Sequence, residues 1–483
     1  MTLADQQTRT LLIGFAAITV ASLLVGAAGN WWWLAGIPAL ALVGYLALVD
    51  FRKIFYLLFF FIPLTVEVWL PNGTVTDMPT ELMTVALMGI YFVYTLRNGR
   101  NLRSDFLKHP ITLALLLHLG WLFVTAITSQ DLLISVKFSL AKIWYVTTFF
   151  FLAGSILKEE KDLKQLTWVV LFPLLFTIAY VLRKHAAMGF SFADIHTVVQ
   201  PFYRNKVAYA CMMTIFLPFV WFTRQMYRTW TWQWLVLAGA TAILLIGIQF
   251  SYTRAAYGTL GIAVGAYFVI KWRLMKPTLV VAALLAVLYI LGMVRHNRYL
   301  DHKPVYDKTI THEDFGDLLT STTKGQDVST MERVYRWVAG GHMIGERPWL
   351  GFGPGTFTAF YKTYTLHGFR TYVSQNTEGS GIHCYYLMVA VEQGYIGALL
   401  FVALVFIVLL KGEIIYHQTA DPNRKRLVMM VLMTTVVIDG LLLMNDLVET
   451  DKIGSFFFLC MAVLVNVDLA NKASVRQLAV GSQ

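Results

Sequence analysis

Charge is scarce in this chain. Asp, Glu, Lys and Arg make up 14% of its 483 residues against 57% hydrophobic residues, and the mean hydropathy is +0.60. So little charge cannot solvate the surface of a water-soluble protein of this length, and the composition places the chain in a bilayer. Cysteine is nearly absent as well: Cys211, Cys384 and Cys460 lie in or beside apolar segments without CxxC spacing, which argues against a disulfide framework and a zinc site. No cluster of Asp, His or Cys has recognisable metal-ligand spacing on the side assigned below as outer, and no internal repeat or low-complexity tract is found. Acidic residues number 28 against 39 Lys and Arg, but the positions of the basic ones have a topological explanation, so the imbalance gives no reason to invoke nucleic acid.

What the chain has in quantity is apolar runs. Segments close to the roughly 20 residues needed to span a bilayer fall at 11–28, 31–49, 53–70, 79–96, 109–128, 133–156, 164–182, 206–223, 233–252, 255–271, 277–294, 384–410, 427–446 and 453–469. The expected fold is all-α: a polytopic integral membrane protein of about 12–14 transmembrane helices, with 1–294 and 383–483 in the membrane and 295–382 forming one large loop. The pair 233–252 and 255–271 is either a tight hairpin or a broken helix. The first run reads as a retained helix rather than a cleaved leader. Lys and Arg cluster in every second connection (Arg52 and Lys53; Arg97 to Lys108; Lys158 to Lys164; Arg224 and Arg228; Lys271 to Lys276; Arg424 to Arg426). Positive connections stay cytoplasmic, so both termini are expected inside and 295–382 outside.

The long loop carries ten Lys or Arg and nine Asp or Glu, so single residues matter more than its net field. Residues 301–328 are polar and read as a loosely packed excursion. From Ser329 to Glu332 the pattern is that of a capping box, followed by apolar residues at helical spacing until Pro348. On that helix Arg333 falls at the edge of the apolar stripe and Arg336 further toward solvent. Gly351, Gly353 and Gly355 read chiefly as a turn returning the chain to the membrane, with a backbone nest for phosphate as the alternative. His383 then stands at the mouth of a run of about 28 residues. As a straight helix that run extends about 42 Å, beyond a hydrocarbon core of about 30 Å, which puts the histidine in the interfacial layer.

Glu332-Arg-Val-Tyr-Arg-Trp337, Glu346-Arg-Pro-Trp-Leu-Gly-Phe-Gly-Pro-Gly-Thr-Phe357 and His383-Cys384, with Gly394 and Gly397 after nine spacers, resemble the O-antigen ligase and polymerase family of bacterial inner-membrane glycosyltransferases. Cys384 departs from the small polar residue usual there. Ser251-Tyr-Thr-Arg254 is similar to the family's Ser-Arg pair with one extra residue, and Asn205 with Ala208 to its Asn-x-x-Ala helix entrance. The resemblance implies a GT-C-like membrane enzyme with a large periplasmic loop. It would move a glycan from undecaprenyl pyrophosphate to an acceptor such as lipid A-core, at the periplasmic face, without metal or other cofactor.

The residues suit that chemistry in their own right. Leaving pyrophosphate needs cations, which Arg254, Arg333 and Arg336 can supply through forked donors, and the attacking hydroxyl needs a base, for which His383 is the candidate. A lone histidine at a helix entrance is ordinarily a solvated cap, and an arginine between two apolar runs, as Arg254 is, ordinarily snorkels. The glycine spacing and the neighbouring arginines argue for the functional reading of both. Arg204 and Lys206, basic on the outer side, either meet a substrate or touch lipid head groups. Lys142, inside a span, is a further substrate-site candidate. Glu392 is expected to pair with a Lys or Arg of another helix, and Cys384 cannot form a dyad with its neighbour His383.

Three functions fit: a ligase acting on lipid A-core, a polymerase extending the glycan on the same carrier, and a transporter. Polar residues gathered at one outer face, without midplane charge pairs on repeated halves, disfavour the transporter. A single substantial outer loop favours the ligase.

Overall fold

The computed structural model describes residues 3–29, 50–69, 75–98, 104–308, 327–377 and 379–481, with isolated positions between 31 and 45. The apolar segment 31–49 and most of the polar excursion after 301 therefore lie outside the described residues. The chain is helical almost throughout, in the order α1 (Leu3–Gly29), α2 (Phe51–Phe61), α3 (Thr80–Asn98), α4 (Pro110–Ile127), α5 (Leu132–Val146), α6 (Glu160–Ala187), α7 (Lys206–Arg224), α8 (Trp232–Gln249), α9 (Arg254–Lys271), α10 (Met275–Val294), α11 (Val328–Glu346), α12 (Tyr385–Gln418), α13 (Pro422–Leu442) and α14 (Asp451–Gly481). Among the described residues nine helices are long and apolar enough to cross a membrane. α3, α9 and α13 are of similar length, at 19, 18 and 21 residues, but less apolar.

One departure from the sequence reading and one alternative it left open have local causes. The run 53–70 is no continuous span. Its helix stops after 11 residues, a turn containing Pro63 follows, and the chain continues as strand β1 (Val66–Trp69), paired antiparallel with β2 (Val75–Met78). Thr80 ties this hairpin to the start of α14 by donating to Asp451 at 2.7 Å. The junction 233–252/255–271 is two helices, divided at Phe250 to Thr253 with Tyr252 at φ +50°.

A second departure shapes the site. α12 is not a straight rod: Gly394 has φ +69° and ψ −175°, and the helix bends sharply there into two limbs. A straight helix would hold Tyr385 and Phe401 about 24 Å apart, yet their rings meet at 4.9 Å, and Tyr386 reaches Phe401 at 5.4 Å. The first limb lies beside α4. Phe401, which Tyr385 touches, also meets His118 at 5.5 Å, while Glu392 stands at the Thr128–Asp131 corner between α4 and α5, about 16 Å further along α4. His383 therefore does not crown an extended helix. It sits at the inner end of a folded-back limb, recessed from the corner by about three helical turns.

A bend in a membrane helix strands backbone polar groups, and these must be satisfied from elsewhere. The glycine-punctuated loop satisfies them. Phe352 and Gly353 donate to the carbonyls of Val391 and Glu392 at 3.0 and 2.9 Å, the Trp121 indole donates to Gln393 at 2.9 Å, and Tyr395 donates to the Pro348 carbonyl at 2.7 Å. The same loop docks on the corner through Gln130 N–H to Phe352 O at 2.9 Å and Ser135 Oγ to Pro354 O at 2.8 Å.

Gly394 is the position where this construction tolerates no side chain, because a Cβ there would lie 2.2 Å from the Trp349 carbonyl oxygen in a left-handed backbone. Gly394→Ala is expected to lower the thermal midpoint of the purified protein clearly, the backbone conformation alone costing roughly 1–3 kcal/mol. Gly265→Ala, where an added Cβ meets nothing within 4 Å, should leave the midpoint unchanged or slightly raised. Equal melting of the two variants would contradict the tight elbow.

Candidate active site

Helix α11 brings the loop's arginines to the bundle, and its capping differs from the expected Ser329–Glu332 box. Asp327 is the N-cap, accepting from the Thr330 amide at 3.0 Å and hydroxyl at 2.6 Å, and it forms an ion pair with Arg254 Nη2 at 2.8 Å. One carboxylate thus starts the loop helix and fastens it to the first residue of α9. The two hydrogen bonds from Thr330 and the guanidinium of Arg254 hold the Asp327 carboxyl below its usual range despite burial.

Glu332 turns inward to accept hydrogen bonds from Thr371 and Ser374, the latter at 2.6 Å. Arg336, expected toward solvent, is instead only 4% exposed. Its Nη1 donates to Ser380 Oγ and Gly381 O, both at 2.9 Å, its Nη2 to Asn376 Oδ1 at 3.3 Å, and Glu332 lies 3.7 Å away. The segment 371–382 runs back over this helix face and buries it, with Gly340 leaving the space that Ile382 fills. Helical periodicity cannot foresee a cover supplied by residues some forty positions later. Arg333 is the more open of the two. Its Nη1 reaches Ser329, while its inner Nε is enclosed and unpartnered. Burial, then the charge of Arg254, pushes its pKa down to about 10.

His383 has φ +59°, a conformation L-residues seldom adopt. Its backbone amide donates to Asp446, which also lies so close to Gly381 that a Cβ there would fall 1.8 Å from Oδ2. The turn that aims the imidazole is therefore built on Asp446, whose own carboxyl burial pushes up. Burial, then Arg333 and Arg336, push the His383 pKa down to about 3.

The remaining candidates divide. Lys206 begins α7 with its ammonium 4.1 Å above the Phe192 ring, within the fields of Arg254 and Asp327. Arg204 is exposed two residues earlier. Asn205 caps α7 by accepting from Ala208 N–H at 2.9 Å, which gives the Asn-x-x-Ala entrance its physical meaning. Lys142 is not among the arginines. Its Nζ is held by both oxygens of Glu449 at 2.6 and 2.7 Å, and Tyr385 also donates to Glu449 at 2.7 Å, so this buried charge braces the foot of the first α12 limb. Among the described residues Glu392 pairs with no Lys or Arg. It accepts from the amides of Gly355 and Phe357 at 2.8 and 3.1 Å, filling with its own carboxylate the backbone nest that the sequence offered for phosphate.

Sequence reasoning missed Asp327 and Asp446. Asp327, three residues before Thr330, had a capping signal. Asp446 had none, since its role comes wholly from tertiary approach to 381–383.

Fold and site together define a multi-pass membrane protein with a histidine-bearing, cation-lined recess at the face that carries the 327–382 loop. Residues 239–402 match the model of a family described as O-antigen ligase. That segment, which contains Arg254, Arg333, Arg336 and His383, is similar to an O-antigen ligase-like family. No curated protein matches the chain.

The depressed His383 pKa sets a testable pH dependence. Between about pH 3 and the ordinary value near 6.5 the unfolded chain binds this proton and the native one does not, so stability should fall as pH drops through that window and be level above it. The slope should be smaller in His383→Gln. In labelled protein without substrate the His383 imidazole should remain neutral at pH 5, and a midpoint near 6.5 by NMR would contradict the enclosure.

Proposed function

We propose that this protein is a glycosyltransferase of the ligase type, moving a glycan from undecaprenyl pyrophosphate to an acceptor hydroxyl, lipid A-core being the leading acceptor. The proposed setting is the periplasmic face of the bacterial inner membrane. Both termini are then cytoplasmic, and membrane sections 1–294 and 383–483 flank the periplasmic loop 295–382. The alternation of basic connections supports this orientation. The observation that carries the chemistry is the convergence of Arg333 and Arg336 on the turn bearing His383, with Arg254 beside Arg333.

In this reading the acceptor oxygen bonds to the anomeric carbon as the carbon–oxygen bond to pyrophosphate breaks, and its electron pair departs with the phosphate. His383 takes the acceptor's proton, and Arg333 and Arg254 meet the growing charge, with Lys206 and Arg204 behind them. Arg336, already engaged by Ser380, Gly381 and Asn376, holds the His383 segment in place while adding its charge. The same arginines that suppress His383 protonation are neutralised when pyrophosphate arrives. Donor binding therefore strengthens the base only when there is a glycan to transfer.

A lipid-borne donor also needs room for its chain. Arg254, Gly258, Gly261 and Gly265 lie on one face of α9, and an added Cβ at any of the three glycines meets nothing within 4 Å. This open furrow runs from the cation into the apolar layer.

In a transfer assay with defined polyprenyl-pyrophosphate glycan, His383→Gln should lose on the order of 10²–10⁴ in rate while still binding donor. Arg333→Ala should lose transfer, with Lys restoring only part because an ammonium lacks the fork. Turnover by His383→Gln within a few-fold of the parent would remove the base assignment. Filling the furrow with Gly261→Leu should raise the donor KM by roughly tenfold, about 1.4 kcal/mol, and change kcat little. An unchanged KM would place the prenyl chain elsewhere.

A further inference from the structure

Away from the recess, a cleft of about 540 Å³ opens between the segment following α10 and the turn at His367 in the loop. Its walls are Lys303, Pro304, Val305 and Tyr306 on one side and His367, Gly368 and Arg370 on the other. Among the described residues that line it none is acidic; Asp301 and Asp307 lie nearby in sequence. The volume falls within the range of small-molecule sites. Tyr306 is 52% exposed and offers an aromatic face. Lys303 is laid across the turn: a Cβ on Gly368 would come 2.8 Å from its Cε and 3.2 Å from its Nζ, so glycine at 368 is what lets the ammonium stand over the cleft.

The cleft is mechanically joined to the candidate active site. The residue after Arg370 is Thr371, which donates to Glu332, and Glu332 is the neighbour of Arg333 and lies one turn before Arg336 on α11. A saccharide extending from the recess over the outside of this strut meets two cations, an imidazole and an aromatic ring.

We propose that the cleft binds an anionic sugar unit, one bearing a carboxylate or a phosphate ester, and so selects charged glycans for the reaction. Two nitrogen cations, one from each of the two segments that line the cleft, suit an anion, while the Tyr306 face and the size of the cleft suit a pyranose ring rather than a bare ion. The proposal rests on the glycosyltransferase reading for the expectation that a glycan passes here. Its binding chemistry stands apart from turnover and is tested apart from it.

The test uses full-length protein in nanodiscs of neutral phosphatidylcholine, with labelled histidine, the His367 resonances being the reporter. D-glucuronate and glucose 1-phosphate are each expected to shift them saturably, and D-glucose is not. The double variant Lys303→Ala/Arg370→Ala, whose side chains are exposed and whose thermal midpoint should match the parent, is expected to weaken both by roughly tenfold or more. His383→Ala should bind them as the parent does, even if transfer is lost, so a failure of the catalytic reading would not disturb this result. Binding of glucose as strong as that of glucuronate, unaltered binding by the double variant, or shifts produced only by phosphatidylglycerol nanodiscs and by neither sugar would each overturn the proposal. The last outcome would assign the cleft to lipid head groups.

Discussion

The backbone groups stranded by the bend at Gly394 are the constraint on which the rest of the site depends. A helix in a bilayer can break only where its carbonyls and amides find new partners, and here those partners are the amides of Phe352 and Gly353, the carbonyl of Pro348 and the Trp121 indole. The loop is therefore no appendage on a finished bundle. It completes a transmembrane helix, and in return the bundle fixes the loop's position to within a hydrogen bond. Everything the loop carries, α11 and its arginines included, inherits that placement.

Charge in the recess follows the same economy of position. Each carboxylate nearby is assigned to geometry: Asp327 to the start of α11 and Arg254, Glu332 to Thr371 and Ser374, Asp446 to the His383 turn, and Glu392 to the glycine loop. Arg333 is left with weaker ties, one to its own preceding turn, and an enclosed nitrogen without a partner. An incoming phosphate would meet a cation whose cost of burial is already offset by the fold and whose attraction is not yet used.

Much of this was legible in the sequence, for physical reasons that also mark the limits. Apolar length gives membrane helices because the bilayer imposes one thickness. The nine residues between Cys384 and Gly394 are a signature because they span one helical limb. What the sequence could not reveal is that this limb folds back, since both sides of the elbow are apolar and helical, and only φ at one glycine differs. Arg333 and Arg336 were ranked by helical angle, and the ranking failed because residues 371–382 cover the face that periodicity had assigned to solvent. Lys142 read as a substrate contact because an intramembrane cation invites one, whereas Glu449, more than three hundred positions away in the chain, already answers it. The domain limits and the inside–outside orientation rest on sequence reasoning still.

The folded limb also acts as a depth gauge. Because its upper end is pinned at Gly394 by loop hydrogen bonds and its foot is braced through Tyr385 to Glu449 and Lys142, the distance of the imidazole below the rim is a count of residues and nothing else. One residue more or fewer in the limb would move His383 by about 1.5 Å and swing it about 100° around the axis. Under the proposed function a lipid-anchored head group arrives at a height fixed by its own membrane, and the limb's length would tune the protein to a substrate that cannot adjust its own level.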